Sequence, residues 1–403
     1  MELFWLEHKK LWRKKIVKIC VLLCFVYCVI FGSILSFQWF CFGSSDDYTS
    51  AFGNNFDGYT VIKDSQEYAL SFGGELTDET LQKIVSDYQQ MEADGMGEEL
   101  EKTDWQIVNS WLGTLYPELR DTSNYKTMIS YVDPDKLTGF YERRQQVLDE
   151  FLEVSGQVGA EKEFLHQIER KVEKPFHYEW VEGWSTLLGS TVADLGVVMA
   201  LFLGIVLSSL FAGEWHDNTS TLVLTTRNGW GKIALAKILT GLAFTVELFA
   251  LLAVSSVISQ LFFMGTAGWD MPIQNIKLIA VAPMNMLQAE IYEYAFVLLG
   301  AIGFAGIVMF ISAAVKNNVL TLLLSLAVVY GPMMIAEYLP YKMQKALDLI
   351  PLVGSSTDIF RTNTFRILGK LIWSPYLLIT IPVLIGILCM PFAIKSWSRR
   401  MKA

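Results

Sequence analysis

The stretch 208–239, SSLFAGEWHDNTSTLVLTTRNGWGKIALAKIL, joins two long apolar runs through a polar segment that extends from Gly213 to Lys232. The centre of this segment, Asn218 to Leu224, is short and rich in threonine, and it ends in apolar residues. An apolar run of about 20 residues is long enough to cross the hydrocarbon core of a bilayer. We therefore interpret the stretch as two membrane spans joined by a loop.

The composition extends this interpretation to the rest of the chain. Of its 403 residues, 52% are hydrophobic and 18% are charged, whereas about a quarter of the residues in soluble domains are charged. Six runs are long and apolar enough to span a membrane: Ile19–Phe40, Thr186–Phe211, Ile233–Phe263, Tyr292–Val315, Val319–Ala336 and Leu371–Ile394. The sequence therefore predicts an all-α polytopic membrane protein with six transmembrane helices.

The positions of lysine and arginine predict the orientation of the spans, because these residues are enriched on the cytoplasmic side. Basic residues cluster before the first span and after the last, so both termini are expected in the cytoplasm, together with the loop 212–232. The predicted outer loop 337–370 departs from this rule. It carries five basic residues: Lys342, Lys345, Arg361, Arg366 and Lys370.

Residues 41–185 separate the first two spans and are long enough to form a domain outside the membrane. They carry 29 acidic and 12 basic side chains, a net charge of −17 against −9 for the whole chain. Apolar residues recur at helical spacing, and Thr77 is expected to cap a helix within LTDETLQKIVSDYQQM (76–91). We predict a mainly helical extracytoplasmic domain, whose acidity argues against nucleic acid as a partner.

The chain carries no motif that indicates catalysis or a bound cofactor. Its sequence GWGK (229–232) lacks the spacing and the hydroxyl residue of a phosphate-binding loop, and HExxH, CxxC and GxSxG are absent. We therefore expect no enzyme activity, no metal site and no cofactor in this chain.

The region from the second to the third span resembles that of ABC-2-type exporter permeases. The features that carry the resemblance are Phe211, Glu214, the turn Asn218-Thr219-Ser220, the patch Leu222-Val223-Leu224-Thr225-Thr226, Arg227 and Lys237. The six-span count, the N-terminal segment and a large outer domain agree with one branch of this family. The family usually has Gly-Thr where this chain has Asn218-Thr219.

The resemblance implies a permease subunit that works with a second permease copy or paralogue and with separate ABC ATPase subunits, which bind ATP and Mg²⁺. The loop 212–232 would couple the two kinds of subunit, and the loop 337–370 would form short outer gate helices. The predicted coupling residues are Glu214, Asp217, Asn218, Thr219, Leu222, Leu224 and Arg227. In physical terms, Asn218 or Thr219 caps a brief helix whose leucines enter a cleft of the partner. An ordinary solvated loop is the alternative.

The N-terminal segment 1–18 combines tryptophan with lysine and arginine, as helices in the headgroup layer of membranes do. At helical spacing, its large apolar side chains form one stripe: Phe4, Trp5, Leu11 and Trp12. We predict an amphipathic elbow helix that contacts membrane lipids on the cytoplasmic side. A flexible basic tail is the alternative.

Two acidic residues, Asp194 and Glu247, fall inside predicted spans. An acid in the hydrocarbon core costs about 2.5 kcal/mol or more, so each is expected to face the bundle interior or a wet cavity. We expect the two at a similar depth, where they form a polar outer vestibule or contact a cationic part of the cargo. The alternative is hydrogen bonding between helices or a protonated acid. Glu290 and Glu293, at the outer start of the fourth span, are expected at the membrane interface.

These features together predict the permease subunit of an ATP-driven exporter in the plasma membrane of a bacterium. Its cargo would be a peptide, a lipid or a drug-like amphiphile. Two alternatives stay open: a scaffold that senses antimicrobial peptides or envelope stress without transport of its own, and an ATP-independent transporter or channel.

Overall fold

The computed structural model describes residues 2–30, 66–67, 69, 73–96, 105–121, 126–216, 231–353 and 363–399. Helices predominate in these ranges, where the strands form only two short antiparallel pairs. The structure therefore agrees with a helical, multi-pass class of fold and adds two small β-ladders that the sequence did not predict.

The described chain begins with two helices in succession. Helix α1 (Glu2–Arg13) is followed, after the extended residue Lys14, by α2 (Lys15–Val29). The buried residues of α2 are spaced three or four apart and so lie on one helix face: Val17, Cys20, Cys24 and Cys28. The predicted first span, 19–40, is described only to residue 30, and its remainder lies outside the described residues.

The predicted outer domain is mainly helical where the structure describes it. Its helices are α3 (Asp78–Ala93), α4 (Trp105–Leu115), α5 (Phe140–Val154) and α6 (Ala160–Glu169), and a ladder joins β1 (Gly74–Glu75) to β2 (His177–Tyr178). The predicted cap of α3 is confirmed, because the Thr77 hydroxyl accepts a hydrogen bond from the Thr80 amide at 3.2 Å. Aromatic edge-to-face pairs around Trp111 and Phe140 fill the core of this domain.

The rest of the chain forms the membrane part. Its helices are α7 (Glu182–Thr186), α8 (Val192–His216), α9 (Lys232–Met264), α10 (Met286–Ala314), α11 (Asn318–Ala336), α12 (Tyr341–Leu347) and α13 (Ser374–Arg399), with a π-helical turn at Leu187–Thr191. Five of them, α8, α9, α10, α11 and α13, are long and apolar enough to cross a membrane. These five helices coincide with the second to sixth predicted spans.

Glycines allow α10 and α13 to approach each other closely. A Cβ atom added to Gly306 would lie 2.5 Å from the carbonyl oxygen of Gly386, and one added to Gly303 would lie 2.3 Å from that of Pro382. Small residues at helix contacts are a common means of bringing membrane helices together, since lipid supplies no hydrophobic force between them. Helices α10 and α13 therefore form a tight pair.

Where the structure describes it, the loop 337–370 contains one short helix, α12. It leads into a hairpin of β3 (Thr364–Ile367) and β4 (Lys370–Trp373), so the last span begins at Ser374 instead of Leu371. The two-residue turn places Leu368 and Gly369 at positive φ, the backbone that suits a tight hairpin. Arg366 pairs with Glu161 of the acidic domain at 2.7 Å, which gives the basic loop an electrostatic reason to lie on that side.

Candidate functional site

The best-defined polar site joins α1 to the end of α8 and the beginning of α9. We call it the N-terminal junction and define it by six residues: Glu7, Lys10, Lys14, Ser209, Glu214 and Lys237. It lies where the segment 217–230 joins the two helices, because α8 ends at His216 and α9 begins at Lys232.

Buried ion pairs hold the N-terminal junction together. The Lys237 ammonium donates to a Glu214 carboxylate oxygen at 2.8 Å and to a Glu7 carboxylate oxygen at 2.8 Å. Lys10 donates to the same Glu214 oxygen at 2.6 Å. Glu214 is 4% exposed and Lys237 is 1% exposed, so neither charge is well solvated by water. Two lysines and two glutamates therefore balance one another where an isolated charge would be costly.

Further contacts fix the end of α8 to its other neighbours. The Ser312 hydroxyl of α10 accepts hydrogen bonds from the amides of Phe211 and Ala212, each at 3.1 Å, and donates to the Ser208 carbonyl at 2.7 Å. Trp397 of α13 packs against the Phe211 ring. The end of the second span is thus bonded or packed to α1, α9, α10 and α13.

The apolar side chains of the predicted elbow stripe do not all point the same way. Leu11 is 2% exposed, and Trp12 packs edge-to-face on Phe244 of α9. Trp5, by contrast, is 61% exposed, and its indole ring packs against the ring of Phe4. Helix α1 therefore places one part of the stripe against the third span and leaves Trp5 on the surface.

Glu247 contacts α1. Its carboxylate accepts a hydrogen bond from the Trp12 indole at 3.0 Å and lies 3.2 Å from His8 Nε2. Glu247 lies ten residues, or roughly 15 Å, along α9 from Lys237. Asp194 lies twenty residues, or roughly 30 Å, along α8 from Glu214, the partner of Lys237. The Asp194 side chain lies outside the described part of the structure.

The remaining predicted coupling residues, Asp217, Asn218, Thr219, Leu222, Leu224 and Arg227, lie outside the described residues. Glu214, one of the predicted coupling residues, binds two lysines of its own chain. Sequence reasoning counted Lys10 and Lys14 only as cytoplasmic charges. The spacing of Glu7, Lys10 and Lys14 by three and four residues was the available signal for one polar helix face.

A second polar cluster lies between α9 and α10. Glu290 is 3% exposed and Glu293 is 0% exposed, so both are buried among the helices of the bundle. Hydropathy places residues along a span but does not give the direction in which each side chain points.

The predicted outer domain is attached to the predicted membrane part through Arg144 of α5. This fully buried guanidinium donates to the carbonyls of Leu278 and Ala280 between the third and fourth spans, at 2.7 and 3.1 Å, and to Glu169 at 2.6 Å. Burial acts to raise the Glu169 pKa, but hydrogen bonds from Lys174 and Arg144 outweigh it and hold the pKa below its usual range.

A cavity of about 360 Å³ adjoins this attachment. Its wall carries polar groups from the outer domain, including Lys171 and His177, and from the outer loop and α10, including Asp270, Gln274 and Gln288. In the described ranges, no three His, Cys, Asp or Glu side chains converge as they would around a transition metal. No protein-family model, no curated protein and no solved structure matches this chain.

Proposed function

We propose that this chain is the membrane-spanning permease subunit of an ATP-driven exporter, and that separate ATPase subunits bind its segment 217–230. The observation that carries the proposal is the pair Glu214–Lys237, at 2.8 Å. Glu214 lies three residues before the segment and Lys237 lies seven residues after it. A force applied to the segment therefore acts on two helices that are already joined.

The N-terminal junction supports the transmission of such a force. Because Lys10 and Glu7 of α1 bind the same pair, α1, α8 and α9 are expected to move together as one unit. Ser312 links this unit to α10, the central helix of the bundle. A displacement of the segment is thus passed to the spans without first breaking a buried ion pair.

The apolar residues of the segment supply the contact with the ATPase. Leu222 and Leu224 enter a cleft of the ATPase, and Asn218 or Thr219 caps the short helix that presents them. Asp217 and Arg227 flank this contact with opposite charges. ATP and Mg²⁺ bind in the partner, and a second permease copy or paralogue completes the pathway.

In this proposal both termini and the segment 217–230 lie in the cytoplasm, and Trp5 of α1 contacts the headgroups of the bacterial plasma membrane. The exposed indole together with the basic residues of α1 supports this placement. The cargo is a peptide, a lipid or a drug-like amphiphile, moved out of the cell.

Sensing of an extracellular ligand is a second candidate function, favoured by the cavity between the outer domain, the loop that leads into α10 and the beginning of α10. Arg144 fastens that domain to the loop that leads into the fourth span, so a ligand in the cavity would act on both. Co-purification of a sensor kinase with the ATPase would favour this function over export alone.

Site-specific photo-cross-linking tests the proposed contact. We expect a photoreactive residue at position 222 or 224 to form a cross-link in intact cells to a subunit that carries a nucleotide-binding site. The matched control is the same residue at Trp269, an exposed position in the loop that follows the opposite end of α9. The proposal fails if positions 222 and 224 cross-link only to lipid, or if position 269 gives the same adduct.

A further inference from the structure

Two buried carboxylates near the beginning of α10 have no hydrogen-bond partner. Glu290 and Glu293 are 3% and 0% exposed, and none of their four carboxylate oxygens is hydrogen-bonded within the described structure. They are three residues apart on one helix and therefore share a face. Buried carboxylates are normally paired, because an uncompensated charge inside a membrane protein is costly.

A third buried polar group lies on α9 at the level of these carboxylates. Gln260 is 0% exposed, and neither its amide nitrogen nor its amide oxygen is bonded to a described residue. The hydroxyls of Ser256 and Tyr294 lie 2.9 Å apart, which sets the register between α9 and α10. Gln260 lies one turn after Ser256, and Glu290 lies one turn before Tyr294. Because α9 and α10 are antiparallel, Gln260 and Glu290 lie at the same level.

The charges of this cluster do not cancel. Two carboxylates contribute two negative charges. Within the described residues, Glu293 forms an ion pair with Lys277, whose ammonium lies 3.9 Å from a Glu293 oxygen. Glu293 thus has a loose counter-ion, whereas Glu290 has the neutral groups Tyr294 and Gln260 beside it. One further positive charge would balance the cluster.

A proton on Glu290 would supply that charge but would not satisfy the other polar atoms. Both Gln260 amide atoms would stay unpaired. A small cation is different, because it can be coordinated by several oxygens at once. Carboxylate and amide oxygens are hard ligands that suit such ions.

We propose that Glu290, Glu293 and Gln260 form a binding site for one monovalent alkali-metal cation between the third and fourth spans. The single charge follows from the balance with Lys277, and the alkali class follows from the all-oxygen ligands. The bound ion stabilises the contact between α9 and α10. This inference does not depend on the proposed function, because it concerns binding and stability rather than transport.

Thermal unfolding of the purified full chain tests the site. We compare NaCl, KCl and choline chloride at one ionic strength, since choline carries the charge but is too large to coordinate closely. Na⁺ or K⁺ is expected to raise Tm by about 2–5 °C over choline. Glu290→Gln and Gln260→Leu are expected to abolish this difference, and Glu337→Gln, an exposed change at the end of α11, is expected to retain it.

A second measurement is the direct binding of radioactive ²²Na⁺ to the unmodified chain. This measurement needs no variant, so a variant that fails to fold does not affect it. The inference predicts saturable binding of about one ion per chain, displaced by unlabelled Na⁺ or K⁺ but not by choline. It is overturned if the unmodified chain shows no saturable binding and equal Tm in all three salts. It is also overturned if Glu290→Gln keeps the full alkali-dependent shift. If Na⁺ and K⁺ act equally, the site is unselective, which still supports the inference.

Discussion

Lys237 donates a hydrogen bond to Glu214 across 2.8 Å and so joins the beginning of the third span to the end of the second. Both side chains are almost completely buried. Because Lys237 also binds Glu7, and Glu214 also binds Lys10, the pair is the centre of an alternating row of charges that includes the N-terminal helix. The stability of this row can be measured.

Replacement of Lys237 by methionine is expected to destabilise the protein by about 3 kcal/mol. This is the lower end of the cost of breaking a buried pair, because Lys10 still binds Glu214. The double change Glu214→Gln/Lys237→Met should cost less than the sum of the single changes, as measured by equilibrium unfolding in detergent. Lys232→Met, an exposed change at the start of the same helix, is the control. Strict additivity would contradict the pairing.

The two tryptophans of α1 are expected to respond differently to truncation. Trp12→Ala removes the contact with Phe244 and the hydrogen bond to Glu247, and it should lower the free energy of unfolding by about 1–3 kcal/mol. Trp5→Ala should leave that free energy within about 0.5 kcal/mol, because Trp5 is on the surface. Equal effects on thermal unfolding would refute the observed division of the stripe.

The outer domain is expected to lose stability in acid. Its buried Glu169 has a pKa below the ordinary value of 4.5, so the folded carboxylate stabilises the domain fully above about pH 4.5. This contribution is lost as the pH falls through the lowered pKa of the folded state. Glu169→Gln should flatten the dependence of thermal unfolding on pH, whereas Glu163→Gln, an exposed change in the same helix, should not. An unchanged profile in the Glu169 variant would rule out this role.

The contact between α10 and α13 is expected to tolerate no side chain at Gly306. In Gly306→Ala the new methyl group would meet the Gly386 carbonyl at 2.5 Å, and the crowding should cost about 1–3 kcal/mol. Gly331→Ala in α11 is the matched control, since no described atom lies within 4 Å of the position of the new methyl group. Comparable losses of Tm in both variants would show that helix packing is not the cause.

The sequence predicted the five described spans well, because length and apolar composition alone identify helices that can cross a membrane. The cap at Thr77 was also predictable, since it depends on a local residue preference. The burial of Glu290 and Glu293 was not, because it depends on the rotation of α10 against α9. The strand Lys370–Trp373 was assigned partly to the last span, because its apolar residues run on directly into those of α13.

The candidate site was predictable only in part. Glu214 and Lys237 were identified, but their mutual bond depends on how α8 and α9 pack, which spacing within each helix does not specify. Glu247 was identified as an acid that requires a polar partner. Its partners Trp12 and His8 are more than 230 residues away in sequence, beyond the reach of a periodic pattern.

ATP hydrolysis by the purified assembly tests most directly whether the segment 217–230 receives the force of an ATPase. The account predicts that Leu222→Asp and Leu224→Asp lower cargo-stimulated ATP turnover at least tenfold, while the permease remains folded and abundant. The control is Leu235→Asp, an exposed position on α9 just beyond the segment, which should retain stimulation if the protein folds. Normal partner binding and full stimulated turnover in both loop variants would contradict the account.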